Sequence, residues 1–378
     1  MVPARVRGGA LREDRIKVLV VEDSAVVREL LVHLLNSDPE MTVVGTAHNG
    51  EEALEFVKRH KPDVITMDIN MPRMNGFEAT RKIMETAPAP IVIVSGSWDA
   101  SEVDTTFRAL EAGALTAVAR PQGPGHPEHE GTARELIQTV KLMAEVKVVR
   151  RWSRVRESGG SGQGESGVSI PPGVKQEARA ETEIVSLGAS TGGPMVLHAI
   201  LSQLPKDFPL PVLIVQHMAP GFIQGFAAWL GPVSGIPIKV AGDGEPLQPG
   251  HAYLAPDGFQ MGVTRDGRIA LSRAQAENGL RPSVSYLFRS VAEVYGRRAA
   301  AVLLTGMGTD GAAELKALHE RGALTIAQDQ NTSVVFGMPG EAVRLGAASY
   351  VLPPEKIAAA LASFASEGRK AGRPADGG

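Results

Sequence analysis

Cysteine is absent from the 378-residue sequence, which excludes disulfides, thiolate metal centres and a cysteine nucleophile. Long apolar runs are missing too: no stretch approaches the ~18 residues that a membrane-spanning helix requires. An export signal is not visible, because the apolar run Ile16–Val21 is short and leads directly into Glu22 and Asp23. Neither sign of charge dominates, with 39 basic and 42 acidic residues giving a net charge of −3, so nothing in the electrostatics draws the chain to nucleic acid. These absences predict a cytoplasmic protein with no nucleic-acid partner and no direct membrane insertion.

What is present is the composition of a globular chain, 43% hydrophobic and 21% charged, long enough for two domains at roughly 100–200 residues each. Between them Ser158–Lys175 crowds Gly, Ser and Pro around only three aliphatics longer than alanine. Too little apolar area is available there to offset chain entropy, and the stretch reads as a flexible tether. The expected organisation is a first domain over 15–150, a linker over 151–181, a second domain over 182–367 and a frayed tail over 368–378.

In the first half, short aliphatic runs at Val18–Val21, Thr42–Ala47, Val64–Met67, Ile91–Ser95 and Thr116–Ala119 alternate with helical patterns. Runs apolar on both faces belong to a parallel sheet covered by helices, and this alternation predicts a flavodoxin-like (βα)5 α/β domain. A helical period over Thr132–Val149 closes it. The second half repeats the theme at Ile184–Leu187, Val212–Val215, Ala301–Leu304 and Leu324–Ala327, with a β-hairpin signal at Asp266-Gly267. It reads as a doubly wound, mostly parallel α/β domain.

Three carboxylates mark the first domain. Glu22 and Asp23 end its first strand and Asp68 ends its third, so in a parallel sheet they meet at one crevice. Their repulsion calls for a cation, and an all-oxygen donor set suits Mg²⁺. A carboxylate beside such an ion can accept a phosphoryl group. The competing role for Glu22 and Asp23 is to favour the start of the following helix. With the string Asp68-Ile69-Asn70-Met71-Pro72-Arg73-Met74-Asn75-Gly76 and Ser95, residues 15–125 resemble the receiver domain of two-component response regulators. The resemblance implies Asp68 as phosphoacceptor, Glu22, Asp23 and Asp68 as Mg²⁺ ligands, and Ser95 as the hydroxyl that meets the phosphoryl group. Arg120 stands where receivers carry a lysine before proline, and Ala117 where they carry an aromatic. Arginine keeps the charge without reproducing lysine's geometry, and the aromatic reporter is missing.

The second domain presents Gly188-Ala189-Ser190-Thr191-Gly192 between an apolar strand and a helical pattern, the context in which a serine hydroxyl is displayed at a sheet edge. A phosphate cradle is the alternative, but the Walker lysine is absent; a helix cap is another. A neutral hydroxyl needs a base, and of the nine histidines His217 ends the buried run that follows the Ser190 unit. The base needs an orienting acid, for which Asp310 and Asp329, each after an apolar strand, are both candidates on pattern alone.

The order of these groups differs from that of the α/β-hydrolases, chymotrypsin and subtilisin. The strings GASTGG, QHM and GMGTDG, behind a receiver and a linker, are instead similar to those of the chemotaxis protein-glutamate methylesterase/glutaminase family. That resemblance implies Ser190 as nucleophile, His217 as base, Asp310 as its orienter, Thr191 as a support of the imidazole and the Met307 amide as an oxyanion donor, with no cofactor for hydrolysis. It implies methyl-accepting chemotaxis receptors as substrate and a chemotaxis histidine kinase as phosphodonor. The alternative of another class is a phospho-dependent interaction module whose second domain binds an anion without hydrolysing anything.

Overall fold

The computed structural model describes residues 15–96, 100–146, 148 and 182–371. The expected linker over 151–181 and the last seven positions, 372–378, lie outside the described residues. The described chain divides into two units, one of residues 15–96 and 112–148, the other of residues 100–111 and 182–371. Among the described residues no helix is long and apolar enough to cross a membrane.

The first unit is built on strands β1 (Ile16–Val21), β2 (Met41–Ala47), β3 (Val64–Met67), β4 (Ile91–Ser95) and β5 (Thr116–Ala119). They pair in parallel in the order β2-β1-β3-β4-β5, which is the flavodoxin-like order. The β3 and β4 side chains are buried throughout, as a strand covered on both faces requires. Helices α1 (Ala25–Ser37), α2 (Gly50–Arg59) and α3 (Gly76–Thr86) connect the early strands. At the start of α2 the Asn49 side chain accepts from the Glu51 and Glu52 amides at 3.0 and 3.1 Å, a cap contributing about 1 kcal/mol. Lys58 and Arg59 in its last turn complement the helix dipole. Helix α4 (Ala100–Ala112) precedes β5, and α5 (His129–Ala144) follows it, burying Leu136, Val140 and Met143. The period expected from Thr132 is therefore real, but the helix starts and stops earlier.

In the second unit seven strands pair in parallel throughout: β6 (Ile184–Ala189), β7 (Val212–Gln216), β8 (Ile238–Val240), β9 (Ala252–Leu254), β12 (Ala299–Leu303), β13 (Leu324–Gln328) and β14 (Tyr350–Leu352). Strands β10 (Gln260–Val263) and β11 (Ile269–Ser272) form a separate antiparallel hairpin around Asp266 and Gly267. The order is β14-β13-β12-β6-β7-β9-β8. From β6 the chain winds outward through β7, then returns to β12 and winds the other way. The reversal leaves a crevice between the β6 and β12 ends, where ligands bind in sheets of this kind. Strands β8, β9 and β14 were not expected: at three residues each they are too short to display a period.

Besides residues 100–111 of α4, the described residues of this unit hold six α-helices: α6 (Gly193–Leu201), α7 (Ile223–Leu230), α8 (Val284–Val294), α9 (Ala312–Glu320), α10 (Met338–Arg344) and α11 (Pro354–Ala371). Helix α11 runs past residue 367, into the stretch expected as a tail. Helix α8 buries Val284, Leu287, Phe288 and Val291, a spacing that lines one helical face. That burial anchors its N-terminus against the crevice.

Candidate active site

Ser190 is the first residue after the wholly buried β6. Its amide donates to Thr305 O at 3.0 Å, and its carbonyl accepts from Gly193 N at 2.8 Å and from Gln216 Nε2 at 2.8 Å. The serine does not cap the following helix: Gly192, with a φ of 77°, occupies that position. Thr305 Oγ1 donates to Thr191 O at 2.9 Å, and the Thr305 amide is held by buried Gln328 Oε1 at 2.8 Å. The Ser190 loop is thus pinned from β7 on one side and from β12 and β13 on the other, leaving the Ser190 side chain partly exposed.

His217 follows β7, the neighbour of β6, and its amide donates to Ala189 O at 2.9 Å. Its ring is largely buried, and Nε2 lies 3.0 Å from Asp310 Oδ2. The approach is close enough for an ion pair but angled away from a well-aligned hydrogen bond. Asp310 comes from the loop after β12, the other neighbour of β6. Its Oδ1 accepts from Ser283 Oγ at 2.9 Å and Ser285 N at 3.1 Å, and its Oδ2 from Val284 N at 2.6 Å. The carboxylate therefore rests on the N-terminus of α8, where amides and the helix dipole both favour negative charge. Burial alone would push its pKa up; the His217 contact and the hydrogen bonds of Ser285 and Ser283 outweigh that and hold it at about 2.

The two acids that the pattern left equivalent are separated by this geometry. Asp329 follows β13, one strand further from β6, and its Oδ1 accepts from Thr332 N at 2.8 Å and Thr332 Oγ1 at 2.9 Å within its own loop. Met307 lies in the loop that carries Asp310. A Cβ built on the adjacent Gly306 would fall 2.7 Å from Ser190 Cβ, so this loop passes directly against the serine. Among the described residues the Met307 amide has no acceptor, and Thr191 bonds through its carbonyl while its hydroxyl makes no hydrogen bond to His217. No hydrogen bond joins Ser190 Oγ to the imidazole in this conformation; such bonds are commonly long before substrate binds.

Sequence reasoning missed the residues that hold these groups: Gln216, Thr305 and Gln328 around the serine, and Ser283, Ser285 and Gln260 around Asp310. The first three share a signal, a polar residue immediately after a buried apolar run. Ser283 is readable as the cap of α8, but nothing local to it points to Asp310. Gln260, fully buried, fixes Ser283 by accepting its amide at 2.8 Å.

In the first unit Glu22, Asp23 and Asp68 converge, one carboxylate oxygen from each lying within 4.8 Å of the others. Glu22 and Asp68 are buried and Asp23 is exposed. Arg120 Nη2 lies 3.3 Å from Glu22 Oε2 and 3.2 Å from Asp68 Oδ1. Burial, and after it the Asp68 charge, pushes the Glu22 pKa up to about 7, against the opposing pull of Arg120 and the Ser24 amide. Ser95 is buried at the end of β4, and its carbonyl accepts from the Arg120 amide at 2.7 Å. A donor set of carboxylates alone, open on the Asp23 side, fits a hard divalent cation.

Residues 185–361 match the family described as CheB methylesterase, and residues 18–126 match the response regulator receiver domain. A protein-glutamate methylesterase/protein-glutamine glutaminase of Nitrosospira multiformis is 58% identical over 93% of this chain and 98% of its own length. One of the same name from Geobacter metallireducens is 59% identical over 93% and 99%. Among solved structures, the Thermotoga maritima CheB methylesterase catalytic domain is 41% identical, covers 48% of this chain and 98% of that one, and superposes with a TM-score of 0.47. With near-complete mutual coverage at this identity, the chain belongs to the protein-glutamate methylesterase/protein-glutamine glutaminase family of receiver-linked enzymes.

Proposed function

We propose that the second unit hydrolyses γ-glutamyl methyl esters on the cytoplasmic helical hairpin of methyl-accepting chemotaxis receptors, with Ser190, His217 and Asp310 as its triad. The observation that carries the assignment is the 3.0 Å contact of His217 Nε2 with Asp310 beside the Ser190 loop. With Nε2 turned to the acid, Nδ1 is the ring nitrogen left for the serine. It takes the proton of Ser190 Oγ as that oxygen attacks the ester carbonyl carbon. The tetrahedral oxyanion is met by the Met307 amide, which has no acceptor in the described chain. Collapse breaks the bond to the methoxy oxygen, which leaves as methanol with the proton from His217. Water, deprotonated by the same nitrogen, then frees the glutamate. A glutamine side chain follows the same route with ammonia as leaving group. No cofactor enters these steps.

The first unit regulates this activity through Asp68, whose carboxylate takes the phosphoryl group of a chemotaxis histidine kinase as the nitrogen–phosphorus bond breaks. Glu22, Asp23 and Asp68 would hold Mg²⁺, which when bound neutralises phosphoryl charge. Ser95 and Arg120 then meet the phosphoryl oxygens; with Ala117 in place of an aromatic, these two carry the response. Receptor hairpin and kinase both place the protein in the cytoplasm.

The test is methanol release from methylated receptor membranes, with and without Mg²⁺ and acetyl phosphate. Wild type should release methanol, faster with the phosphodonor. Asp68→Asn should keep the basal rate while both radiolabelling from the donor and the stimulation fall to background. Equal labelling of the two proteins would remove Asp68 as acceptor, and a wild type that releases no methanol under either condition would remove the esterase.

A further inference from the structure

We infer that Gln216 is a positioning residue, one carboxamide that clasps the nucleophile and the base and so sets the distance between them. It is the last residue of β7 and only 3% exposed. Its Nε2 donates to Ser190 O at 2.8 Å and to His217 O at 2.7 Å, so both N–H groups are spent on the two residues whose side chains must exchange a proton. These acceptors fix the orientation of the carboxamide, since the opposite one would set Oε1 against two carbonyl oxygens.

The clasp carries a cost that folding does not require. Among the described residues the buried Oε1 has no hydrogen-bond partner, and a buried acceptor left without a donor is unfavourable. A methionine or leucine would avoid that penalty, but it would take the shared donor away from the Ser190 and His217 carbonyls. Gly193 makes the arrangement possible: a Cβ there would stand 2.1 Å from Gln216 Oε1, so any side chain would push the carboxamide off its acceptors. The second glycine of Ser-Thr-Gly-Gly and the glutamine of Gln-His are thus one device, although they are 23 positions apart. Buried behind both reacting groups, Gln216 does not reach substrate. It acts on rate through the placement of Ser190 relative to His217, where an error near 1 Å costs about 10²-fold.

This inference rests on the Ser190–His217 assignment proposed above, and full-length variants test the two separately. In Gln216→Met, kcat for methanol release and the rate of Ser190 labelling by a fluorophosphonate should both fall about 10- to 100-fold, with KM unchanged. Gln216→Glu, of the same size, should also be slowed. Thr325→Val is the structural control: it removes a buried hydroxyl that accepts the Ser349 amide at 3.0 Å, and should lower the melting temperature without altering the labelling rate. Gly193→Ala should slow labelling as Gln216→Met does, and the double variant should be no slower than the slower single one. Wild-type labelling in Gln216→Met, or losses that multiply in the double variant, would overturn the clasp. An inactive Ser190→Ala beside a fully active Gln216→Met removes the clasp alone; full turnover by Ser190→Ala removes the assignment and the clasp with it.

Discussion

Replacing Ser190 by alanine should lower methanol release by about 10⁴- to 10⁶-fold, to what binding and oxyanion stabilisation sustain without a nucleophile. The change deletes one oxygen at a partly exposed position, and among the described residues the hydrogen bonds of Ser190 run through its backbone. The fold therefore has no reason to move, and phosphorylation at Asp68, whose ligands lie in the other unit, should be untouched. That combination is diagnostic: a variant with wild-type melting temperature and wild-type radiolabelling but no methanol release locates the chemistry on one hydroxyl. Release within about tenfold of wild type would show that water is activated without Ser190, since loss of a covalent nucleophile costs far more.

Asp310→Asn should cost about 10⁴-fold in kcat by the logic of tautomers. In the proposed triad Nε2–H faces the carboxylate across the 3.0 Å contact, which keeps Nδ1 unprotonated toward the serine. An amide in its place can present N–H to Nε2, which moves the ring proton to Nδ1 and leaves no base where Ser190 needs one. The variant also strands part of its support, because one amide oxygen cannot serve Ser283 Oγ, Val284 N and Ser285 N as two carboxylate oxygens do. A second signature follows from the ionisation. The folded carboxyl sits at about 2 against an ordinary value of 3.8. A depressed acid contributes stability above its unfolded pKa that is lost as pH falls through the folded one, here about 2 kcal/mol between pH 4 and 2. Urea unfolding of the second unit at stepped pH should therefore show a shallower acid loss in Asp310→Asn than in wild type. Parallel curves would mean that another group carries the acid sensitivity.

Much of the architecture was legible because buried parallel strands are continuous apolar runs. Val64–Met67 and Ile91–Ser95 appear in the fold with the limits read from the residues alone. The three-residue strands were not legible, because β9 takes its identity from pairing with β7 and β8 rather than from its own residues. At the site, Ser190 and His217 stood out locally, one by glycine spacing and the other by ending a buried run. Asp310 and Asp329 could not be told apart, since each follows a buried strand into a polar loop. Gln216 was invisible for a related reason: a polar residue at a strand end looks like termination whether or not its side chain does anything.

The residues alone determined most of the longer elements, the loops in which Ser190, His217 and Asp310 lie and, through matching strings, the family. These follow from local periodicity, turn chemistry and spacing, which are properties of neighbours along the chain. Tertiary structure decided the adjacencies. It set β12 rather than β13 beside β6, and so brought Asp310 to the imidazole while Asp329 turned to Thr332. It chose which ring nitrogen faces the acid, and it closed one carboxamide over two carbonyls. Such choices depend on the order in which strands pack, an outcome of burying the whole sheet at once that no short stretch of chain encodes.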